Sequence, residues 1–428
     1  MTSNPQPTLL KDNYLTIKLA MITLVGLAFF IASYGLDSTI RDRKSLLYKA
    51  KENIALAWAG PQTIIGPVLI IPYTDDLKKD KVGRMIFAPS QLNANGMVTP
   101  EIRRRGIFDV LVYQSELELT CKFLAIKQYQ IANKTIHWDQ AKVALFVKDI
   151  KGLNKVTLKI NNSDIHVQSS STVSFKGVHA PLTSINQNEP LNVTFNINIK
   201  GSESLSLLPI AKENKIELCS NWPDPSFTGQ FLPNTKNVTK QGFEAQWAIS
   251  SYATSLNESF DVEELNTNGM FDQKLGVRFL KTADHYQQAE RTSKYSFLFV
   301  LYTFLLFFLY EVVKKTKIHI FQYFITACSL LCFSVLLTAF AEHAPFEVAY
   351  GVSSLAIISQ IAFYAFGILH KKSERMIFVS LLISIYLYLF IVLRLEEIAF
   401  LIGAIGMFLA ITAAMYCTKN IKWFEREV

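Results

Sequence analysis

The residue types that most often carry catalysis are present in this sequence, but their spacing matches no known catalytic motif. The histidines between residues 37 and 293 are His137, His166, His179 and His285. They are scattered, without the spacing of a metal-ligand set. Ser226 follows Asp224 and Pro225, yet no neighbouring residue offers a base that would activate its hydroxyl. A turn built from Pro223 and Pro225 is the simpler interpretation, so we expect no enzyme, no cofactor and no metal.

Cysteine offers one further kind of chemistry in the same region. Cys121 and Cys219 are separated by about 98 residues, and a disulfide between them would stabilise the fold by about 4 kcal/mol. Both positions also suit a small apolar side chain in a buried strand. The sequence does not decide between a disulfide and two buried, unpaired thiols.

The elements that must position these residues follow from hydropathy. The chain has 428 residues, of which 50% are apolar and only 18% charged, with a mean hydropathy of +0.22. Residues 19–36 contain no charge and nearly span a hydrocarbon core of roughly 30 Å. Five further apolar tracts follow residue 293, at 295–313, 318–341, 346–369, 376–393 and 398–417. We therefore predict six membrane-spanning helices and contact with the lipid bilayer.

The spanning tracts contain no ionisable residue at mid-membrane depth, where proton- or ion-coupled transporters place one. Glu311 lies about one turn from the end of its tract, beside Lys314 and Lys315, and is expected to pair with them or to reach the interface. Small residues recur along the last tract and predict a close helix-packing face. They are Ala399, Gly403, Gly406, Ala410 and Ala414.

Orientation follows from the basic residues that flank the tracts, because positively charged short loops stay cytoplasmic. With the N-terminus inside, eleven Lys or Arg residues lie on the cytoplasmic side and at most one, Arg394, on the other. Both termini are then cytoplasmic, and residues 37–293 are periplasmic in a bacterium. The net charge of +8 is explained by this topology and by a nearly balanced domain with 30 basic and 26 acidic residues. We therefore expect no nucleic-acid partner.

Residues 37–293 combine a helical start with many alternating strands. Residues 37–60 have helical spacing and are expected to continue the first span outward. Beyond them, period-two patterns near residue 68, over 156–175 and over 191–208 predict antiparallel strands in one or two sandwich-like lobes. The predicted fold is thus α+β, with a β-rich periplasmic domain inserted between the first and second of six helices. The predicted regions are 1–36, 37–293, 294–417 and a tail at 418–428.

Three stretches are unlike ordinary helix or strand sequence. The first, residues 57–73, contains Trp58, Gly60, Gly66, Pro67 and Pro72. The second, residues 220–233, contains Asn221, Trp222, Pro223, Pro225, Phe227 and Gly229. The third, residues 276–295, contains Tyr286, Glu290 and Arg291 and is expected to lead by a helix into the second span. In the second stretch, Trp222 and Phe227 either fill the rim of a sandwich or present an aromatic anchor to a partner.

These stretches, in this order, resemble the CreD family of bacterial inner-membrane proteins. The resemblance covers about residues 35–395 and implies a role in cell envelope integrity and in the response to envelope or β-lactam stress. It supplies no catalytic residue. The leading hypothesis is a non-enzymatic inner-membrane protein whose periplasmic domain contacts an unidentified envelope protein or lipid. The alternative is a transporter or permease-like protein for a lipid or hydrophobic molecule.

Overall fold

The computed structural model describes two compact units, comprising residues Leu47–Thr282 and residues Met1–Leu46 together with Ala283–Val428. The residues described are 14–76, 82–106, 108–125, 134–171, 176–182, 189–254, 257–262, 270–279, 291–292, 294–314, 318–341, 343–367, 369, 371–395 and 398–419. Helix α1 (Tyr14–Ala57) contributes to both units.

Eighteen strands follow α1 in the described part of the first unit. They are β1 (Gln62–Asp75), β2 (Val82–Phe87), β3 (Gln91–Arg105), β4 (Phe108–Phe123), β5 (Lys134–Ile136), β6 (Lys142–Val147), β7 (Leu153–Ile160), β8 (Ser163–Ile165), β9 (Gln168–Ser171), β10 (Lys176–Pro181), β11 (Leu191–Ser202), β12 (Ser204–Leu207), β13 (Glu213–Ser220), β14 (Pro225–Gly229), β15 (Thr235–Thr239), β16 (Gly242–Ser250), β17 (Ser259–Asp261) and β18 (Leu275–Phe279).

The strands form two sheets that pack face to face. Sheet A has the order β14-β18-β12-β1-β6-β10-β9, with β2 and β5 also paired to β1 and β17 paired to β2. Sheet B has the order β15-β16-β13-β3-β4-β11-β7-β8. One buried apolar cluster takes side chains from both sheets, for example Ile71 and Val143 from sheet A and Leu119 and Phe195 from sheet B. The predicted sandwich is confirmed, and we call this unit the β-sandwich domain.

Alternation of apolar and polar residues explains why sheet B has one buried face. Along β11, Val193, Phe195, Ile197 and Ile199 are buried while the residues between them are exposed or half-buried. The pairing is antiparallel except for two pairs, β1 with β12 and β3 with β13. These parallel pairs join strands that are distant in the chain, and alternation within a strand carries no information about such partners.

The helical unit contains five further apolar helices. They are α2 (Ser296–Lys314), α3 (Ile320–Ala341), α4 (Phe346–Phe366), α5 (Lys372–Arg394) and α6 (Ala399–Thr418). Together with α1, the described residues contain six helices long and apolar enough to cross a membrane. The predicted number and order of helices are confirmed.

Aromatic side chains fill the centre of this bundle. Phe299 of α2, Phe333 of α3, Tyr350 of α4 and Tyr386 of α5 form a set of ring contacts with centroids 4.9–5.5 Å apart. The Tyr350 hydroxyl also donates a hydrogen bond of 2.7 Å to the Tyr386 carbonyl. In α6 the five residues of the predicted small-residue face are all buried or half-buried: Ala399 and Gly403 are buried, and Gly406, Ala410 and Ala414 are half-buried, with Gly406 against the Tyr388 hydroxyl.

Candidate functional site

The C-terminal end of α1 packs on the face of sheet B that points away from the sandwich core. Ile54 and Trp58, one turn apart on the helix, contact Val110 and Val112 of β4. Val110 and Val112 are 1% and 0% exposed, because the helix end covers them. The intervening Leu111 points into the core between the sheets. The helix therefore ends on an apolar patch at one end of an otherwise polar sheet face.

A set of hydrogen bonds fixes the chain where it leaves this helix. The Gln62 amide donates to the carbonyls of Asp149 and Lys200 at 2.9 and 3.1 Å, and its oxygen accepts from the Asp149 N–H at 3.1 Å. The Asp149 carboxylate in turn accepts from the N–H of Gly60 at 3.0 Å and of Lys151 at 3.1 Å. Gln62 is only 1% exposed, so its bonds replace those that water would make. We call Ile54, Trp58, Gly60, Gln62 and Asp149 the helix joint.

Two cations lie against the Trp58 indole. The Arg103 guanidinium is 3.7 Å and the Lys200 ammonium 4.5 Å from the ring centroid, which is the range of cation–π attraction. Arg103 also pairs with Glu101 at 2.7 Å. The Trp58 Nε1 atom is buried and has no hydrogen-bond partner among the described residues. Trp58 is thus held by its ring rather than by its polar atom.

Beyond the helix joint, the same side of sheet B is open and polar. A depression of 620 Å³ is lined there by the residues that we call the polar face: Asn95, Met97, Glu116, Glu118, Asn196, Asn198, Glu217 and Cys219. Strand register places Glu217, Asn95, Glu118 and Asn196 side by side across four strands. Carboxylates and amides in such a row can hydrogen-bond a polar ligand or partner across the strands.

The stretch 221–233 closes one side of the sandwich. Pro225 begins β14, the edge strand of sheet A, and β15, the edge strand of sheet B, follows at Thr235. Phe227 reaches across to sheet B and makes edge-on contacts with Phe243 and Trp247 at 5.7 and 5.9 Å. Trp247 Nε1 donates to the Phe231 carbonyl at 3.1 Å. Trp222 and Phe227 are partly buried and pack on the core, while Asn221 and Pro223 are exposed.

The other residues singled out in the three unusual stretches lie along β1 or just before α2. Gly66 and Pro67 form a bulge in β1, and Gly66 has φ of +107° with the Ala144 carbonyl 3.1 Å from the position of a Cβ, which favours glycine. The Pro72 carbonyl accepts from the His137 N–H at 2.9 Å. Arg291 is half-buried in a helical segment. Tyr286 and Glu290 lie outside the described residues.

The candidate catalytic residues that the structure describes, Ser226, His137, His166 and His179, belong to different segments of the β-sandwich domain, and His285 lies outside the described residues. Ser226 lies within strand β14 opposite Arg278. The chain bends at Asn221 and Pro223, and the predicted turn does not include Pro225, which begins the strand. Burial and Lys142 lower the pKa of His179. His137 Nε2 is 2.8 Å from the Thr74 hydroxyl. The residues that the structure describes contain no cluster of three or more His, Cys, Asp or Glu side chains that could hold a metal ion.

The two cysteines of the β-sandwich domain are free thiols on opposite faces of sheet B. Cys121 belongs to the core between the sheets, and Cys219 lines the polar face. Burial raises the pKa of Cys121, and for Cys219 partial burial and the Glu244 and Glu217 carboxylates do the same. The sheet separates the two sulfurs, so the chain does not form the disulfide that the sequence left open.

In the helical unit, charged side chains gather at the C-terminal end of α2. Glu311 forms an ion pair with Lys18 of α1 rather than with the adjacent Lys314. The Lys18 ammonium also donates to the Ile318 carbonyl, and the Tyr323 hydroxyl donates to Glu311 at 3.4 Å. Glu311 therefore pairs with another helix rather than with Lys314, and Lys315 lies outside the described residues. Lys314 lies instead 3.4 Å from Glu374 of α5.

These features define a multi-span membrane protein that carries a two-sheet sandwich between its first and second spanning helices. A family model described as "Inner membrane protein CreD" matches residues 14–424. The chain therefore belongs to the CreD family of inner membrane proteins. It is 28% identical to the inner membrane protein CreD of Escherichia coli strain K12 over 421 residues, which cover 94% of this chain and 93% of that protein.

Solved structures resemble the chain only distantly. An M1 zinc metallopeptidase mutant from Deinococcus radiodurans matches with a TM-score of 0.22 and 10% identity, over 45% of this chain and 41% of the other. Native yeast LTA4 hydrolase matches with a TM-score of 0.23 and 9% identity, over 51% and 35%. Similarity at this level carries no information about activity.

Proposed function

We propose that the protein is a non-enzymatic component of the inner membrane that maintains cell envelope integrity through its β-sandwich domain. Membership of the CreD family supports the location in the inner membrane. The bias of basic residues toward one side of the spanning helices supports cytoplasmic termini and a periplasmic β-sandwich domain. In this orientation the domain is exposed to the peptidoglycan, lipids and proteins of the envelope.

The single observation that carries the proposal is the polar face beside the helix joint. Its side chains are mainly carboxylates and amides, with Met97 and Cys219 beside them, on an open depression of the sheet surface. The face adjoins the apolar patch on which α1 ends, because Val112 and Glu116 belong to the same strand. An envelope partner bound here would lie on the same face of sheet B as the end of α1.

The envelope role can be tested by deletion in the native host. We expect the deletion strain to become more sensitive to detergents and β-lactams, and the full-length gene to restore resistance. Unchanged sensitivity in several strain backgrounds would overturn the envelope role.

Contact with a partner can be tested by photocrosslinking in living cells. A photoreactive residue at Asn95 or Glu118 on the polar face is expected to give a defined crosslinked product. The same residue at Trp222 tests the sandwich rim, and Val238, which is 46% exposed on edge strand β15, provides a matched surface control. Crosslinks at Val238 equal to those at Asn95 would show that the polar face has no special role.

A further inference from the structure

The spanning part of α1 meets the helical bundle along one narrow stripe. Its buried or half-buried side chains include Lys18, Ile22, Val25, Phe29 and Ser33, which recur every three or four residues. Ile22, Val25 and Phe29 contact the apolar cluster of the bundle. Large side chains on the other faces, such as Leu24 and Ile31, are 68% and 67% exposed. By contrast, α3 buries nine residues among its neighbours.

A narrow apolar stripe holds a helix weakly inside a bilayer. Lipid tails are as apolar as Leu or Phe, so helix association depends on close packing and on polar contacts. Among the described residues, a polar contact between the N-terminal part of α1 and the bundle is the Lys18–Glu311 ion pair, whose side chains are 7% and 13% exposed. A pair removed from water interacts more strongly than a surface pair, and each charge is costly to leave alone. Removal of one partner of the ion pair is therefore expected to weaken the attachment of α1 more than the loss of one apolar contact of the stripe.

We propose that the Lys18–Glu311 ion pair is a latch that seats α1 against α2 and α3, and that opening it releases α1 while the rest of the bundle stays assembled. The Ile318 carbonyl, which accepts from Lys18, and the Tyr323 hydroxyl, which donates to Glu311, complete the latch. Each charge thus has a second partner that fixes its position. The contact is specific in geometry as well as in charge.

The bundle has separate contacts that keep the end of α2 in place when the latch opens. The Tyr310 hydroxyl donates to Glu374 of α5 at 2.9 Å, and Lys314 lies 3.4 Å from the same carboxylate. Neither contact involves α1. Loss of Lys18 therefore leaves α2 fixed to α5, and α1 is the element that gains freedom.

The latch matters beyond the bundle because α1 continues as one helix to Ala57, and its last turns form the helix joint with sheet B. A force or a partner that acts on the β-sandwich domain would therefore reach the latch through the backbone of α1. The latch would couple the state of that domain to the position of the first spanning helix.

The position of α1 can be measured by electron paramagnetic resonance on the full-length protein in lipid nanodiscs. Nitroxide labels replace the exposed Met21 of α1 and Phe363 of α4, in a background in which the five native cysteines are changed to serine. We expect a narrow distance distribution with the latch intact. Lys18→Met and Glu311→Gln should each broaden the distribution and shift its mean.

Two variants control for charge and for general damage. The charge swap Lys18→Glu with Glu311→Lys should restore the narrow distribution, and Lys314→Met, which removes a charge from the neighbouring pair, should leave it narrow. If Lys18→Met does not fold, Lys18→Gln keeps a donor for the Ile318 carbonyl and gives the deciding measurement. A narrow distribution in every variant, or a swap that restores nothing, would overturn the latch. The measurement reports helix position alone, so its result is independent of the envelope role.

Discussion

The two ends of α1 are held by different kinds of contact. At the C-terminal end, Ile54 packs on a covered apolar patch, and Gln62 and Asp149 satisfy the backbone that follows with neutral and charge-assisted hydrogen bonds. In the spanning part, one stripe of side chains and the ion pair of Lys18 make the attachment. The first arrangement combines apolar burial with several backbone hydrogen bonds, whereas the second, among the described residues, combines an apolar stripe with one ion pair.

The difference follows from the solvent that surrounds each end. In water, covering Val110 and Val112 is itself favourable, by about 25 cal/mol for each Å² of apolar surface. In lipid, burying the same apolar surface contributes little free energy, because lipid tails are equally apolar. A single polar contact then dominates the attachment of the helix. We therefore infer that the helix joint is the fixed end of α1 and the latch the adjustable end.

The largest expected effect is the loss of Gln62. Gln62→Ala removes the partners of two carbonyls and one N–H in a buried site, which should cost about 3 kcal/mol. Full-length protein in which Cys121 is the only cysteine allows the measurement, because that thiol is 2% exposed in the sandwich core. Its labelling should become roughly 100-fold faster. The control is Gln91→Ala at an exposed position, and a change of less than tenfold would show that the joint is not fixed by this side chain.

A smaller effect is expected at the apolar part of the helix joint. Ile54→Ala removes a side chain that is 8% exposed and leaves Val110 and Val112 partly uncovered. Truncation of a buried Ile costs about 2 kcal/mol or more, and the lower figure applies at the edge of a core. Labelling of Cys121 should rise roughly 30-fold. Leu56→Ala, at a position 60% exposed, should change little, and equal effects of the two substitutions would rule out the packing at Ile54.

Truncation to alanine in the spanning part should lower the stability of the helix contact by less than Ile54→Ala does, although the side chain removed is larger. Phe29→Ala removes a ring that is 4% exposed, but lipid replaces the lost apolar contact, so we expect about 1 kcal/mol. A cysteine at the buried Ser33 reports the opening of α1, and its labelling should rise roughly fivefold. Phe30→Ala, at a lipid-facing position, serves as the control. A cost at Phe29 equal to that at Ile54 would remove the distinction between the two ends.

The helices and strands at both ends of α1 could be predicted from the sequence. The contacts between residues that are distant in the chain could not. Hydropathy placed the start of α2 at 295, against Ser296 in the structure, because the boundary between apolar and polar residues is local. Lys18 and Glu311 are 293 residues apart, and proximity in the chain favoured Lys314. Gln62 and Asp149 are 87 residues apart and belong to no motif. Contacts of this kind depend on tertiary packing.

The three unusual stretches, residues 57–73, 220–233 and 276–295, were recognised by their composition, and the structure shows the position of two of them. Residues 57–67 lead from the helix joint into β1, and residues 221–233 close the sandwich with Phe227. The turn expected from Pro223 and Pro225 ends before Pro225, because Pro225 starts an edge strand, a position that tolerates proline when its missing N–H would face outward. Whether Trp222 also contacts a partner stays a prediction.

The smallest expected effect concerns the cations at Trp58. Arg103 is 45% exposed, and an exposed cation–π contact contributes about 0.5 kcal/mol, while its exposed ion pair with Glu101 adds little. Arg103→Gln should therefore raise Cys121 labelling only about twofold, and Arg103→Lys should preserve most of the contact. Arg105→Gln, on the same exposed strand end, is the control. A tenfold or greater effect of Arg103→Gln would mean that the fixed end of α1 also depends on charge, and the two ends would then differ in solvent exposure but not in the kind of contact that holds them.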